Sequence, residues 1–368
     1  MRKRNIDVSK FTSLIALVVL IVISAILSGT FLKPVNILNV LRQICTNGVA
    51  SCGAMFAILL GGIDLTVGSL FGLTGVLAAV LMQHMPWYFA VLILLVGAAA
   101  LGYGIGAIIA KFQIPAFIAT LAGLTGFRGA ALAITGAANL PISQQGFLDI
   151  FGSGRVPYQV VLAILAVIAV FIVLSCLKKI RQQKTSTANA VLFAALYLII
   201  EAYMAYLVIS TGFMNCQILY LGVMLLLTYF LLNHTAFGRR IYAVGGNKDV
   251  AKMAGINVDR TIMQGHACAC FCAVLGGLLI AAKLKSGVPT AGQSAEMDAI
   301  AATVIGGTSL SGGIGNIGGT IIGVLLIGVL ANLLSLLNVS SDFQNIFKGL
   351  IILVAVIVDT QFKNKKGA

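Results

Sequence analysis

Charge is what this chain has least of. Of its 368 residues 9% are charged and 60% hydrophobic, whereas a soluble domain carries about 25% charged residues. Acids are scarcer still, 10 against 24 lysines and arginines. That excludes an ordinary soluble enzyme. No Gly-Lys pair occurs, so there is no phosphate-binding P-loop and no means of holding ATP by one. H-E-x-x-H, C-x-x-C and G-x-S-x-G are absent too. His84, His234 and His266 are scattered among the ends of apolar runs, so no catalytic residue and no metal site is expected. The seven cysteines lie mostly in apolar runs and form no disulfide framework. Cys268, Cys270 and Cys272 would point in different directions on a helix and read as small core residues. No long polar stretch exists beyond 137–156 and 235–261, which excludes an extramembrane catalytic domain.

What remains is long apolar runs, the mark of an all-α, polytopic membrane protein. The runs are about 20 residues long without strict alternation, so they read as helices rather than barrel strands. Candidate spans fall at 12–30, 43–60, 66–83, 88–110, 115–136, 157–177, 188–209, 216–234, 262–282, 315–337 and 345–360. With a short, glycine-rich crossing at 296–312, the reading is about 10–12 transmembrane helices, short or broken near 61–68 and 296–312. The basic start and the first run resemble a signal peptide, but the run is long and no A-x-A site follows, so an uncleaved span is expected. Most basic residues lie in four short segments: Arg2 to Lys10, 178–184, 239–260 and 363–366. Such clusters beside spans mark the cytoplasmic face. They place both termini, 178–184 and the 235–261 loop inside, and they make the net charge of +14 a matter of topology, not of nucleic acid. Gly102, Gly104 and Gly106 read as small residues that let helices approach.

Residues 61–68, Gly-Gly-Ile-Asp-Leu-Thr-Val-Gly, place Asp64 within apolar sequence. A carboxylate at membrane depth costs several kcal/mol unless it is paired or lines a wet cavity, and non-helical backbone is tolerated there only inside protein or beside water. Asp64 is therefore expected at the end of a broken helix, facing a shared interior, its carboxylate held by backbone N–H groups that Gly61, Gly62 and Gly68 free. Arg128 within the 115–136 run could line a pore, snorkel or, as favoured, pair within the bundle; Glu201 in 188–209 has no named partner. Glu296 and Asp298 precede a short apolar stretch and read equally as pathway residues or as hydrated loop acids. Gly313-x-Gly315-x-x-Gly318 matches a dinucleotide fingerprint by letter only, since it opens a span instead of following a strand.

The 235–261 loop carries a short helix that Asn247 caps, Asp249 in its first turn and Gly255 at its end. Val250, Ala251 and Ala254 are read as one small apolar face that could dock into a partner's groove.

Four blocks in order resemble a known family: GGIDLTVGS at 61–69, IPAFIATLAGLTGFRG at 114–129, FGRRIYAVGGNKDVAKMAGINV at 237–258 and EMDAIAATVIGGTSLSGGIGNIGGTIIG at 296–323. The chain is similar, over roughly 30–360, to permease subunits of bacterial ABC importers for monosaccharides of the ribose/xylose/galactose type. A segment at about 165–215 looks inserted, as in a longer, xylose-like branch. The resemblance implies one permease domain over 1–368 in the bacterial cytoplasmic (inner) membrane. It implies a second permease copy, forming a homodimer, a cytoplasmic ATPase with two nucleotide-binding domains in one chain, and an extracytoplasmic sugar-binding protein. No cofactor belongs to this chain; ATP and Mg²⁺ sit on the ATPase. Coupling to that ATPase falls to Gly238, Arg239, Gly245, Gly246, Asn247, Val250, Ala251, Ala254 and Gly255. The translocation pathway or its support falls to Asn47, Gly62, Asp64, Ser69, Arg128, Glu296 and Asp298. The sequence leaves open other cargo, a nucleoside or branched-chain amino acid, and an ion-coupled carrier with Asp64 as the coupling acid.

Overall fold

In the computed structural model, which describes residues 12–181, 187–340, 342–350 and 353, the helices follow the apolar runs closely. They are α1 (Thr12–Leu27), α2 (Pro34–Leu59), α3 (Thr66–Leu81), α4 (Trp87–Phe112), α5 (Ala116–Thr135), a short α6 (Gln145–Phe147) continued by a π turn (Leu148–Ser153), α7 (Tyr158–Arg181), α8 (Thr187–Thr211), α9 (Cys216–His234), α10 (Ala236–Gly246), α11 (Lys248–Met253), α12 (Val258–Leu284), α13 (Ala295–Ile305) and α14 (Ile317–Leu336). Among the described residues α4, α5, α9, α12 and α14 are long and apolar enough to cross a membrane. One expected span is corrected. The second begins at Pro34, not near 43, because proline at the first helical position needs no N–H partner and has its φ already set. Most of the expected 345–360 span, the 182–186 part of the basic run and both termini lie outside the described residues.

Helix starts in the second half are set by side chains. Asn215, Thr235, Asn247, Asn257 and Asn316 each accept a backbone N–H of the turn that follows. The 296–312 stretch is α13 followed by a glycine-rich turn, and the Gly313–Gly318 letters fall across that turn and the capped start of α14.

α2 runs through the centre and packs against α9, α12, α13 and α14. Its inner two-thirds, from Ile44 onward, is almost wholly buried. α12 packs against α2, α3 and α4. The approach of α4 is close enough that a Cβ on Gly102 would collide with the His266 carbonyl, and one on Gly106 would lie 2.6 Å from Met263 Cα, so these two glycines serve packing; Gly104 does not, since a Cβ there would meet open space. Asn36 and Asn332 exchange amide hydrogen bonds at 3.0 and 3.1 Å and fix α2 against α14.

Two short antiparallel pairs close one end of the bundle: β1 (Leu140–Pro141) with β4 (Ser286–Gly287), and β2 (Arg155–Pro157) with β3 (Phe213–Asn215). Because α9 leads from β3 to α10 and α12 leads from α11 to β4, α10 and α11 lie at the opposite end.

Candidate functional site

The loop between α2 and α3 dips into the protein. Leu60 and Gly61 leave α2 by reverse-turn hydrogen bonds to Ala57 and Ile58, and Gly61 takes a φ of +76°, which glycine adopts without strain. Gly62 N–H then returns to the Ala57 carbonyl at 3.0 Å. Asp64 follows at 1% exposure. Its Oδ1 accepts from the Thr66 N–H at 2.9 Å and the Thr66 hydroxyl at 2.6 Å, while its Oδ2 lies 3.2 Å from Nδ1 of His266, equally buried. An ionised carboxylate only accepts, so that nitrogen carries the proton. The expectation for Asp64 is corrected accordingly: it faces the interior of its own chain, tied to α12, because a buried carboxylate needs a donor partner. Ser69 is buried one turn into α3 and donates to the Thr66 carbonyl at 2.9 Å. His266 gave no local signal, being 202 residues away in sequence.

Arg128 of α5 is held within the bundle. Its guanidinium donates to the carbonyls of Pro289 (2.6 Å), Ala291 (2.9 Å) and Gly68 (2.9 Å), pinning the strand-to-helix loop before α13 to the start of α3. Glu296 is buried in the first turn of α13, and a Cβ on Gly68 would collide with its carboxylate. The same Cβ would lie 2.5 Å from the Gly292 carbonyl, backbone that cannot swing aside, so Gly68 permits the turn before α13 to rest on α3. Asp298 is buried as well. Its Oδ2 accepts from Asn47 Nδ2 at 3.0 Å and from Lys348 Nζ at 2.9 Å. The reading of Glu296 and Asp298 as hydrated loop acids is corrected: both project from α13 into the bundle. Lys348 lies within an apolar run 50 residues from Asp298, so nothing local to it in the sequence marks the pair. Glu201 on α8 has no hydrogen-bond partner among the described residues.

At the far end, α10 and α11 form an elbow against α2, α12 and the 309–315 turn. Tyr242 donates to the Gly315 carbonyl at 3.0 Å. Gly238 packs on the Leu232 carbonyl and Gly245 on that of Leu59, both too close for a Cβ, whereas Gly246 faces Gly313. Arg239 is exposed. Asn247 Oδ1 accepts from the Asp249 and Val250 N–H groups at 2.9 and 3.0 Å, and Gly255 ends the short helix at φ +79°. The expected apolar face is corrected. Ala251 is 2% exposed and packs inward, so the outward apolar side is Val250 at 54%, Met253 at 80%, and Ala254. A six-residue helix anchored by one small side chain leaves its other faces free. A cavity of about 790 Å³ runs from Lys248 and Lys252 of α11 past Gln113 at the α4–α5 turn to Gly62 and His266. Among the described residues no group of three His, Cys, Asp or Glu could hold a metal ion.

The chain is 37% identical over 98% of its length, and 99% of the relative's, to the xylose transport system permease protein XylH of Haemophilus influenzae. It is 36% identical to the ribose import permease protein RbsC of the same organism, over 98% of both, and 37% identical to RbsC of Bacillus subtilis, over 95% of this chain and 92% of that one. No solved structure matches. Residues 36–356 match the family described as branched-chain amino acid transport system / permease component. With nearly the whole chain covered, and with long apolar helices built to cross a membrane more than once, this is a multi-pass permease that belongs to that family.

Proposed function

We propose that the chain is the membrane-spanning subunit of an ATP-driven, binding-protein-dependent importer of a monosaccharide, pentose or hexose. The observation that carries this reading is identity at 36–37% over 98% of the chain to permeases named for xylose and for ribose. The two values are nearly equal, so they do not choose between the sugars. The chain has no P-loop, so ATP hydrolysis belongs to a cytoplasmic partner. Exposed, capped α11 suits docking on that partner. A second copy of the permease completes the pathway, and an extracytoplasmic binding protein delivers the sugar.

In this reading α10 and α11 receive the motion. α12 starts five residues beyond α11 and carries His266, which holds Asp64 and the start of α3. Arg128 ties α3 in turn to α5 and to the loop before α13. A displacement of α11 therefore moves elements joined by hydrogen bonds, which is what alternating access requires. Three of the charged side chains along this route are engaged inside the chain, Asp64 by His266, Asp298 by Lys348 and Arg128 by carbonyls, and Glu296 alone keeps a buried oxygen without a partner among the described residues. That suits a neutral cargo better than an amino acid with two ionised ends.

Uptake into proteoliposomes that hold the permease with its ATPase and binding protein tests the cargo. Labelled ribose or xylose should be accumulated, and unlabelled pentose in about hundredfold excess should suppress the signal while leucine and adenosine leave it unchanged. Suppression by leucine or adenosine, with none by pentoses, would replace the sugar assignment.

A further inference from the structure

Halfway along the 26-residue α2 sits Asn47, about 20 Å from either end by helical rise. Asp298 and Lys348 meet it there. An ion pair thus lies near the middle of a helix long enough to cross a membrane. It is not sealed, because the Lys348 side chain is 23% exposed and neighbouring Gln43 is exposed. Charges at such depth face water or protein, not lipid. The three side chains border a cavity of about 100 Å³ that Gln43 and Ser51 also line, together with Ile327 and Gly328 of α14.

We infer that this notch binds the hydroxylated edge of a neutral polyol, a sugar in transit, and is a cargo-contact site within the permease. The inference rests on the reading of the chain as a monosaccharide permease and adds the residues that touch the cargo. Four features support it. Asp298 uses only Oδ2 for its two bonds, leaving Oδ1 without a partner among the described residues. Lys348 spends one donor of three on Asp298. Asn47 retains its amide oxygen as an acceptor. Donors and acceptors thus stand side by side, as vicinal hydroxyls, which both donate and accept, require. The pair is also neutral as a whole: Lys348 opposes a cation and Asp298 an anion, so an ion is disfavoured while a hydroxyl is served by both. Finally, one water needs about 10–15 Å³ of such space; the notch has room for several waters or for the edge of one ring. Its apolar wall offers the C–H face of that ring a surface. Few contacts keep the site weak, as cargo release demands.

The test is a cycle between side chain and hydroxyl, run on the assembled complex in proteoliposomes. Maximal uptake rates are compared for ribose or xylose and for analogues that each lack one hydroxyl, at concentrations that saturate the binding protein. In the native complex at least one deoxy analogue should move about tenfold more slowly, the loss of one hydrogen bond to a charged partner. In Asn47→Leu and Lys348→Met that ratio should fall below about twofold, whereas Lys348→Arg, which keeps the pair, should preserve it. An unchanged ratio in both variants, or native rates blind to every hydroxyl, overturns the inference and leaves a notch that holds water only. Should Asn47→Leu or Lys348→Met fail to assemble, Gln43→Ala at the exposed mouth gives the same reading. A native complex that accumulates no monosaccharide overturns the functional assignment along with the site. Sugar uptake with an unchanged ratio overturns the site alone.

Discussion

His266→Leu is expected to destabilise the folded permease by about 3–5 kcal/mol, since it leaves Asp64 buried with its principal partner gone. Asp64 retains Thr66, but a hydroxyl and one N–H do not replace an imidazole at 3.2 Å in a pocket that admits 1% of the residue's surface. The double variant Asp64→Leu/His266→Leu removes both groups and should recover much of that loss, because an apolar pair carries no desolvation penalty. Thermal unfolding of the detergent-purified protein decides: single and double variants of equal stability would show that the pair does not hold α3 to α12. Asp64→Asn, nearly isosteric, should be milder than His266→Leu and leave energy dependence as it is. Native uptake that needs no partner ATPase and is lost in the Asn variant would favour an ion-coupled carrier.

Met253→Glu and Val250→Asp should abolish sugar uptake, by about a hundredfold or more, with insertion and stability unchanged. Both side chains are exposed and touch no core, so nothing in the permease itself requires them. In a docked complex each becomes an anchor whose loss is worth about 2–4 kcal/mol, and a buried unpaired carboxylate adds to that. Ala251→Asp should fail differently. It forces a carboxylate into the contact that holds α11 to the bundle, so folded yield falls before coupling does. Co-purification of the ATPase with each variant separates the cases. Normal uptake by Met253→Glu would remove α11 from the coupling interface.

The contrast between these residues shows what was legible in sequence. Helix positions were, because long apolar runs broken by proline, asparagine and glycine leave few alternatives: 216–234 is α9 as expected, and 116–135 and 187–211 differ from the expected runs by two residues or fewer. The cap and stop of α11 were legible too, because Asn247 and Gly255 act on their own turn. Its apolar face was not. In a helix of six residues periodicity is too short to say which side is buried, and Ala251 was placed with Val250 although they point oppositely in burial. Tertiary partners were out of reach for a different reason. Asp64 finds His266 and Asp298 finds Lys348 across the packing of separate helices, and only the need for a partner, not its identity, can be read from a lone acid in an apolar run. The early Pro34 start of α2 was missed because the polar side chains near it, Asn36, Asn39, Arg42 and Gln43, interrupt hydropathy without interrupting the helix.

The energy source is the most direct test of the account. Proteoliposomes that contain the permease, its ATPase partner and the binding protein are loaded with ATP and Mg²⁺, and sugar accumulation is followed with and without a protonophore plus a sodium ionophore. The account predicts accumulation that requires ATP and the binding protein and proceeds unchanged when the ion gradients are collapsed. Accumulation that persists without ATP and stops when the gradients are collapsed would contradict it.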